Sequence, residues 1–88
     1  MKKINVGIIG FGTVGAGTFE ALSTNRHIIA DRVGAEVIVR KIADLDIDTD
    51  RGIPVKPGRE CMTTDAMEVI NDPEIQIIAE LMGGLGKA

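Results

Sequence analysis

Tryptophan and tyrosine are absent from this 88-residue sequence, phenylalanine occurs twice, and there is one cysteine and one histidine. A lone Cys61 rules out an internal disulfide or a thiolate metal cluster and suits a reducing compartment; its expected role is a small buried filler. A lone His27, far in sequence from other ligand-type side chains, is expected to be solvated or packed rather than to hold a metal. Positive charge is also scarce: 10 Lys and Arg stand against 13 Asp and Glu, for a formal net charge of −3. Without a basic stripe nothing can release phosphate counterions, which argues against a nucleic-acid partner. No apolar run approaches the ~20 residues of a membrane span. The first such run breaks at glycines too early to be a signal-peptide core, so a soluble, cytoplasmic protein is expected. With 44% hydrophobic and 26% charged residues, the composition is that of an ordinary globular chain. Its length suits one domain that buries roughly 60–65% of its unfolded surface.

What is present is glycine in a particular order. Asn5-Val6-Gly7-Ile8-Ile9-Gly10-Phe11-Gly12-Thr13-Val14-Gly15 reads as an apolar strand, a glycine turn and the start of a helix. Gly10 would turn the chain off the strand, Gly12 would leave room for a pyrophosphate against the backbone, and Gly15 would let the helix pack closely. Free N–H groups around Gly12, Thr13 and Val14 would then meet two phosphate charges at the positive end of the helix dipole. Glycine-rich turns also serve methyltransferases, flavoproteins and purely structural corners. The strand before this turn and the helix after it are what point to a nucleotide.

Beyond Gly15, Val14, Thr18, Leu22, Ile29 and Val33 recur at helical spacing and are expected to face a sheet. Ser23-Thr24-Asn25 should break the helix, with a second piece from Arg26 to Arg32 closed by Gly34. The β-branched run Ala35–Ala43 predicts a second strand ending at Asp44. An acidic residue there would accept hydrogen bonds from adenosine ribose hydroxyls and disfavour the extra phosphate of NADP. Asp44 falls 29 residues after Gly15 rather than the usual ~20, and the extra helical piece accounts for the difference. Asp46, Asp48 and Asp50 read as a solvated acidic loop. The stretch from Asp48 to Arg59 should be a long loop, Glu60–Thr63 a short edge strand, and Thr64 or Asp65 the cap of a brief helix carrying Met67 and Ile70. Asn71-Asp72-Pro73 should stop that helix, and Ile75–Leu81 reads as a strand covered on both faces, followed by the Met82-Gly83-Gly84 turn.

This order describes an α/β fold, the first mononucleotide-binding half of a Rossmann-type, doubly wound parallel sheet. Its last strand should lie beside the first, away from the second. The ligand crevice would then fall between Gly10–Gly15 and Met82–Gly84.

With these pieces placed, together with Thr63-Thr64-Asp65 and Glu80-Leu81-Met82-Gly83-Gly84, the chain resembles the N-terminal cofactor domain of homoserine dehydrogenases over its whole length. The resemblance implies NAD(P)-dependent interconversion of L-homoserine and L-aspartate 4-semialdehyde in threonine and methionine biosynthesis. It implies cofactor contacts at Gly10, Phe11, Gly12, Thr13, Val14, Gly15, Asp44, Met82, Gly83 and Gly84. Members that favour NADP often carry a basic residue just past the second strand. Leu45 stands near that place, which favours NAD, with NADP as the alternative because Arg40, Lys41 and Arg51 are close in sequence. The family's catalytic lysine and aspartate and its dimer-forming sheet lie in a later domain, so the resemblance implies an incomplete cofactor domain, not catalytic alone, from a homo-oligomeric parent. Such an isolated piece is expected to self-associate through Ile75–Leu81 or to be marginally stable. The other function class consistent with these residues is a non-catalytic NAD-sensing module.

Overall fold

The computed structural model describes residues 2–82. Four parallel strands, β1 (Lys2–Ile9), β2 (Ala35–Ala43), β3 (Met62–Thr63) and β4 (Ile77–Glu80), form one sheet in the order β3-β2-β1-β4. Helices α1 (Thr13–Thr24) and α2 (Arg26–Val33) connect β1 to β2, and α3 (Ala66–Ile70) connects β3 to β4. β4 therefore lies beside β1 on the side away from β2, as the βαβ pattern predicts.

Alternation along the strands divides the core in two. Val6, Ile8 and Ile42 turn to one face and pack with Phe11, Ala16 and Phe19, while Ile9 and Ala43 turn to the other and pack with Val69. Ile8, Ile42 and Val69 are wholly buried, each contributing about 1.5–3 kcal/mol of hydrophobic stabilisation. Gly7 makes the second cluster dense, because a Cβ there would overlap the Val69 side chain.

The helix break falls at Asn25, whose side-chain amide and backbone N–H both donate to the Ala21 carbonyl, at 2.9 and 3.1 Å. Gly34 ends α2 in the left-handed conformation, φ 78°. Asp65 caps α3 by accepting the Met67 N–H at 2.9 Å.

Several expectations about faces need correction. Val14 and Val33 are about 60% exposed, and the sheet-facing positions are Gly15, Ala16, Phe19 and Ala30. Small residues carry this contact because they let the helix axis approach the sheet, which hydrophobicity alone does not reveal. In α3 the buried side chain is Val69, while Met67 and Ile70 face outward. Cys61 is half-buried, with burial and then the Glu60 carboxylate raising its thiol pKa. Only Met62 and Thr63 of the expected edge strand pair with β2; Glu60 lies in a 3-10 turn spanning Arg59–Cys61. β4 is shorter than Ile75–Leu81, although the Gln76 and Leu81 N–H groups still donate to Asn5 and Ile9 carbonyls at 3.0 and 2.7 Å. Its faces are open rather than covered, with Ile77 and Ile78 at 52% and 42% exposure.

One irregularity is informative. Pairing of β1 with β2 slips between Val6 and Gly7, so that Arg40 is skipped. Arg40 and its neighbour Lys41 both reach Asp72 on the α3–β4 connection, at 2.9 and 3.2 Å. The Asp72 carboxylate also accepts the Glu74 N–H at 2.8 Å. That backbone bond, and then the two cations, hold its pKa down at about 2. Among the described residues no helix is long and apolar enough to cross a membrane.

Candidate functional site

A cavity of about 530 Å³ opens at the carboxyl ends of β1, β2 and β4, where α1 begins. Its walls come from the glycine turn and α1 on one side, the β2 exit on another, and Leu81 and Met82 on the third. This is the crevice that a doubly wound sheet leaves where its strand order reverses.

Each glycine of the turn does something different. Gly10 has φ +99°, and a Cβ on it would come within 2.8 Å of the Leu81 carbonyl and Met82 Cα. It therefore permits both the turn and the close approach of the β4 exit. A Cβ on Gly15 would overlap the Gly10 carbonyl oxygen, so Gly15 seats α1 on the turn and does not line the cavity. A Cβ on Gly12 would meet nothing within 4 Å. The space over Gly12 is thus free for a ligand group pressed against the backbone.

Gly12 is the N-cap of α1 and supplies no capping side chain. The first helical bond runs from the Ala16 N–H to the Gly12 carbonyl, 2.8 Å, so the first-turn amides before it have no helical carbonyl to donate to. No acidic residue occupies that turn. An anion placed over Gly12, Thr13 and Val14 meets open N–H groups and the positive helix end with no carboxylate of the helix opposing it.

Opposite stands Asp44. Its Oδ1 accepts the Phe11 N–H at 2.9 Å, and its Oδ2 accepts the Asp46 N–H at 3.0 Å and Arg51 Nη2 at 3.2 Å. A carboxylate offers about four acceptor directions, so one on Oδ1 remains for a ligand hydroxyl. Phe11 joins the site through its backbone; its ring is buried, edge-on to Phe19 with centroids 6.0 Å apart.

The structure brings Gly10, Gly12, Thr13, Val14, Asp44 and Met82 to one cavity, with Phe11 and Gly15 behind it. Gly83 and Gly84 lie outside the described residues. Leu45, Asp46, Thr64 and Ala66 line the cavity as well; the sequence placed Leu45 just past the ribose-binding position and Thr64 as a possible helix cap without naming either as a cofactor contact, gave Asp46 to a solvated loop, and missed Ala66. Leu45 is 88% exposed at the rim. Its position directly after Asp44 is the signal by which the sequence set it near the ribose. Hydrogen bonds from the Thr49 hydroxyl, then from the Thr49 and Asp48 amides, lower the pKa of Asp46 and keep it anionic. Asp48 and Asp50 instead pair with Arg59 and Lys56 at 2.6 and 2.7 Å.

No protein-family model matches the chain. Individual proteins do. The homoserine dehydrogenase of Methylobacillus glycogenes is 42% identical over 84 residues, which is 96% of this chain and 20% of that protein. That of Bacillus subtilis (strain 168) is 32% identical over 85 residues, 97% of this chain and 19% of that protein. Among solved structures, S. aureus homoserine dehydrogenase at pH 7.5 superposes with a TM-score of 0.83 at 31% identity, covering 98% of this chain and 22% of that one. The Thiobacillus denitrificans homoserine dehydrogenase gives a TM-score of 0.78 at 40% identity, over 99% of this chain and 20% of that one. The chain thus spans about a fifth of the length of the relatives it matches.

Proposed function

We propose that this chain, which matches about a fifth of the length of each homoserine dehydrogenase it resembles, is the nicotinamide-dinucleotide-binding part of such an enzyme. The parent would be a cytoplasmic homo-oligomer interconverting L-homoserine and L-aspartate 4-semialdehyde in threonine and methionine biosynthesis. The observation that carries the reading is the open backbone over Gly12 at an uncapped helix N-terminus, facing Asp44 across one cavity.

Gly12, Thr13 and Val14 would hold the pyrophosphate with backbone N–H groups. Asp44 would accept a ribose hydroxyl with its remaining acceptor direction. Met82 would flank the nicotinamide half. When bound, the nicotinamide supplies hydride exchange with the substrate carbon. The residues of this chain bind and orient; the groups that move substrate protons would come from the remainder of the parent enzyme.

NAD is the preferred cofactor in this reading. Asp44 and Asp46 both line the cavity, whereas Arg51 lies behind Asp44 and does not. A 2′-phosphate would therefore approach two carboxylates before any guanidinium. Titration calorimetry with NAD and NADP tests this, and suits a chain without Trp or Tyr. NAD should bind more tightly, and Asp44→Ala should cost it about 1–2 kcal/mol, the scale of a hydrogen bond to a charged group. Equal affinities for the two cofactors would overturn the role given to Asp44.

A further inference from the structure

Arg51 belongs to the long loop after β2, yet its side chain is only 16% exposed. Its Nε donates to the Phe11 carbonyl at 2.8 Å, Nη1 to the Thr49 carbonyl at 2.7 Å, and Nη2 to the Asp46 carbonyl at 2.9 Å and to Asp44 Oδ2 at 3.2 Å. The guanidinium carbon lies 5.7 Å from the centre of the Phe11 ring, within cation–π range.

Three of these groups close a ring. Phe11 N–H donates to Asp44 Oδ1, Arg51 Nη2 donates to Asp44 Oδ2, and Arg51 Nε donates to the carbonyl of Phe11 itself. Both carboxylate oxygens are thereby held, which sets the rotation of the Asp44 side chain. The Phe11 carbonyl shares a planar trans peptide with the Gly12 N–H, so fixing one direction fixes the other. One guanidinium consequently positions both halves of the cavity, the carboxylate at the β2 exit and the first amide of the glycine cradle.

We infer that Arg51 is a positioning residue for the dinucleotide, locking Asp44 and the Phe11–Gly12 peptide into one binding geometry. This deepens the proposed function and rests on it. Two physical requirements follow. Planar, forked donors are needed, because a lysine ammonium is a point charge that cannot reach two fixed acceptors in the same way. Part of the effect of Arg51 on binding must also pass through Asp44, the rest running through the Nε bond to the Phe11 carbonyl.

The experiment is a calorimetric double-mutant cycle with NAD on the full 88-residue chain, comparing wild type, Arg51→Gln, Arg51→Lys, Asp44→Ala and the Arg51→Gln/Asp44→Ala pair, with thermal melts by circular dichroism. Arg51→Gln should weaken NAD about tenfold, the range of one charge-assisted hydrogen bond. Arg51→Lys should recover less than about half of that loss on the logarithmic scale, since charge alone does not restore the fork. In the Asp44→Ala background the Arg51→Gln effect should shrink to about threefold or less. A purely structural role would move melting temperature and NAD affinity equally in both backgrounds, and that result overturns the inference. So does an Arg51→Gln chain that binds NAD within about twofold of wild type, or full rescue by lysine. Gly12→Val serves as the reference for the underlying reading: if wild type does not bind NAD, or Gly12→Val binds it normally, the cofactor assignment itself fails. Binding that is lost in Gly12→Val but intact in Arg51→Gln removes the inference alone.

Discussion

Adding carbon to the three glycines of the turn should have opposite consequences, and the geometry sets the scale of each. At Gly12, φ is −76° and nothing lies within 4 Å of where a Cβ would stand, so Gly12→Val introduces no clash. Its folding cost is that of a poorer N-cap, about 1 kcal/mol or less. The new side chain nevertheless fills the space over the open amides of α1. Affinity for NAD should fall at least about 100-fold, equivalent to about 2.7 kcal/mol. At Gly15 the added methyl of Gly15→Ala overlaps the Gly10 carbonyl, a backbone atom that cannot rotate away. Alanine gains up to about 1 kcal/mol of helix propensity, but overpacking of this kind typically costs about 1–3 kcal/mol, and a backbone neighbour puts it at the upper end. At Gly10 the φ of +99° adds strain of about 1–3 kcal/mol to the 2.8 Å approach of the Leu81 carbonyl. Gly10→Ala and Gly15→Ala should therefore each destabilise by about 2–3 kcal/mol. Urea unfolding followed by far-UV circular dichroism measures stability, and calorimetry with NAD measures binding. The reasoning is refuted if Gly12→Val loses as much stability as Gly15→Ala, or if it retains NAD affinity.

Asp72, held near a pKa of about 2 by the Glu74 amide, Arg40 and Lys41, should stabilise the fold fully above its unfolded pKa near 3.9 and lose that contribution as pH falls through about 2. Urea midpoints for wild type and Asp72→Asn should differ by a constant amount down to about pH 4 and converge between about 4 and 2; a gap unchanged at pH 2 would contradict the pairing. Among the described residues β4 is hydrogen-bonded only to β1, with Ile77 and Ile78 exposed, so the 88-residue chain should self-associate through this edge. Light scattering across a concentration series should show rising mass, abolished by Ile78→Lys; a monomer at all concentrations would mean the edge is not a pairing site.

The glycine turn, the split helix and the strand order were legible in the sequence because each rests on local chemistry: glycine spacing, the helix-breaking Ser23-Thr24-Asn25 and β-branched runs. Helix faces were less so. Gly15, Ala16 and Ala30 make the contacts assigned to Val14 and Val33, since close approach to a sheet selects small side chains while hydrophobic periodicity weights large ones. Gly7 read as an ordinary strand position, and its reason appears only once Val69 packs over it. Asp44 was legible as the residue ending a strand, but its partner was not. Arg40 and Lys41 are nearer to Asp44 in sequence than Arg51 is; the slip in β-pairing sends the first two to Asp72, and loop closure brings only Arg51 to Asp44.

The central claim is that a nicotinamide dinucleotide lies across the carboxyl ends of β1, β2 and β4 against the N-terminus of α1. The most direct measurement is a titration of the ¹⁵N-labelled 88-residue chain with NAD, followed by amide chemical shifts. The account predicts the largest shifts at Gly12, Thr13 and Val14, with further shifts at Asp44, Leu45 and Met82, and none at Val55 or Lys56, which line a separate pocket beside Phe19 and Leu22. Saturating NAD that leaves the Gly12–Val14 amides unmoved, or that shifts the Val55 pocket instead, would contradict it.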